Sequence, residues 1–340
     1  MEFLNSQTEL FNESKSNIQI KNNLKALTNI ENNDMSYSID LSTKIGSGAF
    51  GDIYKVTCTT TNVVYAVKIE TVVSSNNKSS TEYEAKILKY LKGGIGIPRL
   101  IEFISTKENN YLIFSLLGIN LDELFLRCKK YFSINTIKYL TSQMIGRIEF
   151  LHLKKLIHRD IKPENFTLSG NQNNNPSQIY LIDFGLTKKY VDKHNTHIAI
   201  KEGIPLIGTA RYASINTHLG YQQSRRDDLE SFLYCILYFM KGSLPWQHLR
   251  VKSKQEKYQK ILEIKISICD NEIGSYPKSF VRALQYVRNL QFEEKPDYSF
   301  IKHSIFSIDK DNNNIDESAL DWIANKIDIN SYYNSKQEKK

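Results

Sequence analysis

Three glycines, at positions 46, 48 and 51, stand between two strand-like runs, and no helical pattern follows the third. In the run Ile45-Gly46-Ser47-Gly48-Ala49-Phe50-Gly51-Asp52-Ile53 the missing side chains let backbone amides come close to a phosphate group. A dinucleotide-binding fold would begin a helix directly after Gly51. Here Asp52 to Thr57 reads as a second strand, so the glycines close a hairpin that can lie over phosphates as a lid. An oxidoreductase built on this loop is excluded on the same ground.

The strand that follows, Val63 to Glu70, carries Lys68 within an otherwise apolar and β-branched stretch. A lysine at this distance from the glycines can reach phosphates from beneath the lid. It needs an anionic partner. The segment from Thr81 to Leu91 reads as a helix in which Ile87, Leu88 and Leu91 follow Glu84 at helical spacing, so Glu84 shares the inward face. A carboxylate there is costly unless paired, which implies a Lys68–Glu84 ion pair.

Further along, His158-Arg159-Asp160-Ile161-Lys162-Pro163-Glu164-Asn165 is followed by Asp183-Phe184-Gly185. Phosphoryl transfer requires one carboxylate to orient the attacking hydroxyl and accept its proton, and Asp160 suits that role. Mg2+ takes few protein oxygens, and Asn165 with Asp183 can supply them against the phosphates of ATP. Lys162 would neutralise the transferred phosphate. Asp183 follows the apolar run Ile179-Tyr180-Leu181-Ile182, which places it at the end of a buried strand.

These motifs, in this order, resemble the protein kinase superfamily, and Lys162, two residues after Asp160, resembles serine/threonine rather than tyrosine kinases. The stretch Gly208-Thr209-Ala210-Arg211-Tyr212-Ala213-Ser214-Ile215-Asn216 looks like the casein kinase 1 family, with Ser-Ile-Asn where most kinases carry Ala-Pro-Glu. The segments Ser224 to Ser231, Gly242 to Gln247, and Lys295-Pro296-Asp297-Tyr298 are similar to the same family. The resemblance covers roughly Ile39 to Lys326. It implies an α+β, bilobal kinase fold, with a small β-rich N-lobe carrying one key helix and a larger, mainly helical C-lobe. It also implies an ATP site formed by residues 45–53, Ala66, Lys68, Glu84, Phe114, Leu117 and Thr167, activity without phosphorylation of the activation loop, and acidic or phospho-primed protein substrates. Arg211 and Lys257 match basic positions that cradle a substrate phosphate, a chemistry that suits guanidinium and ammonium groups. Asp228 matches a residue that anchors the catalytic loop.

The chain departs from this pattern in three places. Gly203-Ile204-Pro205-Leu206-Ile207 is apolar, with Ile204 where a third phosphate-binding lysine would stand. Phe114 occupies the gatekeeper position before the hinge, where methionine is common. Thr167 replaces a leucine at the floor of the adenine site. A catalytically weak pseudokinase scaffold is the alternative function.

With 340 residues, of which 41% are hydrophobic, the chain can bury a core large enough for two packed lobes. The expected organisation is a flexible Asn/Ser-rich extension over 1–36 and a kinase domain over 37–326. The domain divides into N-lobe 37–114, hinge 115–119 and C-lobe 120–326, and a short polar tail follows over 327–340. Asn120 and Glu123 form a capping pair for a helix through Lys130, and Ile137, Leu140, Met144, Ile148 and Leu151 mark one face of a long core helix.

The formal charge of +8, from 45 basic and 37 acidic residues, would attract acidic or phosphorylated proteins. No aromatic-interleaved basic stretch suits nucleic acid. Cys58, Cys128, Cys235 and Cys269 have no metal-ligand spacing and read as reduced cytosolic thiols. The N-terminus does not resemble a secretory signal, and the apolar run Phe232 to Met240 is too short to span a bilayer. A cytoplasmic monomer is expected, with the nucleus left open as a second location.

Overall fold

The computed structural model describes residues 27–32, 35–48, 51–72, 79–169, 175–271, 276–309 and 314–329. Residues 1–26 of the expected extension, Ala49 and Phe50 of the glycine loop, and 330–340 of the expected tail lie outside them.

An antiparallel sheet forms the N-lobe. Its strands are β1 (Leu27–Asn32), β2 (Met35–Gly48), β3 (Gly51–Cys58), β4 (Val64–Thr71), β5 (Leu100–Ser105) and β6 (Asn109–Ser115), in the order β1-β2-β3-β4-β6-β5. Alternation along the strands separates two faces. Tyr111 and Ile113 join Ile39, Val56 and Val67 in one apolar cluster, while Leu112 faces the other way into the main core. Lys68 lies opposite Leu112 in the β4–β6 register, between the sheet and helix α1 (Ser80–Tyr90).

The C-lobe is helical, built on α2 (Leu121–Arg127), α3 (Ile134–Leu153), α4 (Ile215–His218), α5 (Arg225–Lys241), α6 (Lys254–Asn271), α7 (Lys278–Asn289), α8 (Tyr298–Phe306) and α9 (Asp321–Ala324). The apolar face expected on α3 is buried: Ile137, Leu140, Met144, Ile148 and Leu151 are all core residues. Helix α5 is buried along almost its whole length, and at its start the Asp227 carboxylate reaches back to accept the Ser224 amide at 2.7 Å. Between α3 and α4 lie the short strands β7 (Leu156–Ile157), β8 (Phe166–Leu168), β9 (Ile179–Leu181) and β10 (Lys188–Lys189), paired β7 with β10 and β8 with β9.

Three expected boundaries differ. The sheet begins at Leu27, inside the stretch read as a flexible extension. Strand β1 pairs in register with β2, and its Ile30 is buried, so one apolar anchor plus a backbone ladder orders a segment of polar composition. Helix α2 does cap on Asn120, whose side chain accepts from the Glu123 amide at 2.9 Å, yet it ends at Arg127 rather than Lys130. Lys129 and Lys130 both adopt left-handed backbone, which stops it. At the other end, Ile327 and Ile329 pack against the core, so apolar contact extends past the expected boundary at 326.

Candidate functional site

Strand β7 runs directly into His158-Arg159-Asp160, where Arg159 has a left-handed φ of 70°. This unfavourable turn is pinned from below by Asp228, in the first turn of α5. Its carboxylate accepts the backbone amides of His158 at 2.7 Å and Arg159 at 2.9 Å, and lies 3.0 Å from His152 Nε2. Burial would raise the Asp228 pKa, but the His152 ring and the neighbouring His158 with its backbone amide outweigh it and hold the carboxyl below its ordinary value.

With the loop fixed, the Asp160 carboxylate is tied at both oxygens. Oδ1 accepts the Thr209 amide at 2.8 Å and Oδ2 accepts Lys162 Nζ at 2.6 Å. Lys162 also donates to Thr209 Oγ1 at 3.1 Å. Asn165 donates its amide nitrogen to the Asp160 carbonyl at 2.8 Å, which leaves its oxygen as the atom able to meet a cation. This closeness requires a glycine at 208. A Cβ there would lie 2.4 Å from the Arg159 carbonyl oxygen, and the residue has a φ of +91°.

Across the cleft, Lys68 is 3% exposed and lies 2.7 Å from Glu84 and 3.5 Å from Asp183. Burial acts to lower the lysine pKa, but the charges of Glu84 and Asp183 outweigh it and raise it, so Lys68 stays protonated. Glu84 also accepts the Phe184 amide at 3.1 Å, linking helix α1 to the segment that carries Asp183. Asp183 has a left-handed φ of 64° and is held below its ordinary pKa, because Lys68, His158 and Lys162 outweigh its burial.

These groups face a cavity of about 500 Å³ between the lobes. Ile45, Gly46, Ser47, Ile53, Ala66, Lys68, Glu84, Phe114, Leu117 and Thr167 line it, together with Asp160, Lys162, Asn165 and Asp183. Gly48 and Gly51 face each other across the β2–β3 hairpin. Asp52 is not part of the wall; it accepts from Ser47 at 2.6 Å and pairs with Lys44 at 2.7 Å, bracing the hairpin instead. Thr167 is buried, and its hydroxyl has no hydrogen-bond partner among the described residues. The wall also includes Leu88, Asn120, Glu164, Ile182 and Leu186, which the motifs alone did not single out.

A family model, the protein kinase domain, matches residues 39–304. The chain belongs to the protein kinase family. As a kinase it is a phosphotransferase acting on proteins, and no helix among its described residues is long and apolar enough to cross a membrane.

Neither Arg211 nor Lys257 lines the kinase's cavity. Arg211 is half-buried, 5.9 Å from the Tyr212 ring centroid and within electrostatic reach of Glu164 and Asp122. Lys257 is exposed on α6. Ile204 is half-buried, and its amide donates to the Gly220 carbonyl at 2.9 Å.

The segment that carries Arg211 is seated by Trp246, from the run Gly242 to Gln247, and by Lys265, which no motif revealed. Trp246 Nε1 donates to the Arg211 carbonyl at 2.7 Å, and the fully buried Lys265 donates to the carbonyls of Ala210 at 3.0 Å and Ala213 at 2.6 Å. Where most kinases carry the glutamate of Ala-Pro-Glu, this chain has Asn216. Glu230, from α5, lies 3.4 Å from Arg288 and 3.3 Å from the Ile215 amide.

Proposed function

We propose that this kinase is an active serine/threonine kinase of casein kinase 1 type, acting on acidic protein substrates. The observation that carries the reading is the joint placement of Asp160, Lys162, Asn165 and Asp183 at one end of a cavity whose other wall holds the Lys68–Glu84 pair. The substrate hydroxyl would be oriented by Asp160 Oδ2, which accepts its proton as the oxygen–phosphorus bond forms and the bond to ADP breaks. Lys162, already 2.6 Å from Asp160, offsets charge on the transferred group. Lys68, held charged, suits the phosphates left on the nucleotide.

The donor set also suits Mg2+. Among the described residues no group of three or more His, Cys, Asp or Glu side chains forms a metal cage, and Mg2+ does not need one. One carboxylate and one amide oxygen, with substrate phosphates and water, meet its octahedral demand. Asp183 and Asn165 would hold it, and the ion would neutralise charge on the phosphate oxygens.

Substrate choice follows from the region beyond the cavity. Arg211 is partly offset by Glu164 and Asp122, and Ile204 supplies no charge, so an upstream phosphate on the substrate gains little. Incubation with casein, Mg2+ and labelled ATP tests the chemistry. Asp160→Asn should lose at least about a thousandfold in kcat and the labelled product should contain phosphoserine or phosphothreonine. Equal incorporation by wild type and Asp160→Asn would overturn the mechanism, and no incorporation by wild type would leave a scaffold. Peptides differing only in a phosphoserine three residues upstream should differ only modestly in kcat/KM; a difference on the order of a hundredfold would overturn the weak-priming reading.

A further inference from the structure

Two residues after Lys68 on β4 stands Glu70, which the phosphotransfer reading does not use. Alternation puts both side chains on the same face of the strand, the face covered by helix α1. Lys68 reaches the second turn of α1, at Glu84. Glu70 reaches its start.

The contacts at that start are dense. The Glu70 carboxylate accepts the Ser80 amide at 3.0 Å and the Thr81 amide at 3.3 Å, the first two amides of the helix. It also accepts the hydroxyls of Ser79 at 2.5 Å, Ser80 at 2.8 Å and Thr81 at 2.6 Å. The Ser79 hydroxyl, while donating to Glu70, accepts the third amide, that of Glu82, at 3.0 Å. The Tyr83 amide then makes the first i→i−4 bond of the helix, to the Ser79 carbonyl at 3.2 Å. The three amides ahead of it, which the helix itself leaves without partners, all lead directly or through one hydroxyl to a single carboxylate from the strand below. The side-chain amide of Asn110, on β6, stands 3.5 Å away on the same oxygen.

We propose that Glu70 is the positioning residue for the Lys68–Glu84 pair: it bolts the N-terminus of α1 to the strand that carries Lys68, and so keeps the helix inward without a phosphate on the activation segment. The carboxylate does at the helix start what an external anion would do, supplying negative charge to the positive end of the helix dipole. Burial would raise its pKa, but the hydroxyls of Ser79, Thr81 and Ser80 and the Ser80 amide lower it to about 2, so the bolt keeps its charge at any pH at which the kinase would work. Because Lys68 and Glu70 are fixed to each other by one strand, and Glu84 and Ser80 by one helix, two contacts remove both the tilt and the slide of α1 against the sheet. The contacts at Glu84 and the apolar face of the helix by themselves would leave its first turn unfastened from β4.

This inference rests on the kinase reading for its consequence and on geometry alone for its cause, and the two are tested apart. Hydrogen exchange reads the cause. In Glu70→Ala the amides of residues 80–83 should exchange on the order of tenfold faster or more, whether or not the enzyme turns over. Unchanged protection there would overturn the bolt itself.

Kinetics reads the consequence. Glu70→Ala should lower kcat on the order of tenfold or more with peptide KM within about twofold of wild type, since the peptide segment sits on the other lobe. In a Glu84→Ala background the same substitution should cost less than about twofold, because the pair it positions is already gone. An equal loss in both backgrounds would show general weakening of the N-lobe and overturn the positioning role. Thr81→Val and Ser80→Ala, which each remove one hydroxyl and keep Glu70, should give smaller losses in the same direction and guard against a variant that fails to fold. No loss in either would also overturn it. Loss of protection without loss of kcat would leave the bolt standing and sever it from catalysis.

Discussion

Two regions of the molecule, the cleft and the segment that carries Arg211, are each organised by a buried lysine, and the two lysines are treated in opposite ways. Lys68, on the nucleotide side, sits between Glu84 and Asp183, which keep it protonated. Lys265, beneath the segment that carries Arg211, is 0% exposed and meets two backbone carbonyls and the faces of Tyr234 and Trp246, with ring centroids 4.8 and 5.0 Å away. Burial drives its pKa well below the ordinary lysine value; Glu230 opposes this and Arg288 adds to it. One lysine brings charge to the cavity. The other supplies directed hydrogen bonds to a loop, for which geometry matters more than charge.

The contrast is sharpest in activity. Lys68→Met should lower kcat by on the order of a hundredfold or more, because it removes a preorganised cation and leaves Glu84 and Asp183 facing each other. Steady-state kinetics at saturating ATP checks this, and a loss below about threefold would break the assignment of chemistry to this region.

Lys265→Met should act on the peptide instead. Freed from Ala210 and Ala213, the segment bearing Arg211 loses its seat, so peptide KM should rise on the order of tenfold while ATP KM stays within about twofold. Each carbonyl left without a partner costs about 1–3 kcal/mol of stability. Equal rises in both KM values would erase the division between the two regions.

Titration separates the lysines by sign. The Lys68 pKa is raised above 10.5, so its contribution to stability is present below pH 10.5 and lost as pH climbs through the raised value. The Lys265 pKa is depressed, so the unfolded chain binds more protons between that depressed value and pH 10.5, and stability rises with pH across the interval. Urea unfolding from pH 8 to 11 should show Lys265→Met flattening the rise and Lys68→Met removing the loss above it. Changes of the same sign in both variants would defeat the comparison.

The smallest effect belongs to the cavity floor. The Thr167 hydroxyl is buried without a partner among the described residues, so Thr167→Leu replaces a desolvated polar atom with apolar contact under the nucleotide. A gain of about 1 kcal/mol lowers ATP KM about fivefold. An unchanged KM would refute the role.

What could be read from the residues divides along the same line. The hairpin lid, the strand bearing Lys68, the helix bearing Glu84 and the face of α3 follow from local periodicity, and the catalytic groups stand in short runs whose spacing is itself chemical. Strand β1 was hidden because its composition is largely polar around the buried Ile30. The early stop of α2 depends on two lysines adopting a conformation lysine seldom prefers. Glu70 had a signal that went unused: it shares the strand face of Lys68, and the run Ser79-Ser80-Thr81 ahead of Glu82 is a strong helix start. Lys265 had a weaker one: it falls at helical spacing from Ile261 and Ile268, but in a run of charges from Lys254 onward it reads as a solvated lysine.

The order of residues alone determined which chemical groups the molecule possesses and that they serve phosphate, because each group stands in a short run whose spacing is set by hairpin, strand and helix geometry, although the runs lie far apart in the chain. Only the tertiary structure decided which lysine carries charge into the cleft and which one holds a loop. Lys68 meets Asp183 across 115 positions, and Lys265 meets Ala210 across 55. A side chain's ionisation and orientation are set by the dielectric and the partners around it, and those come into being when distant segments pack.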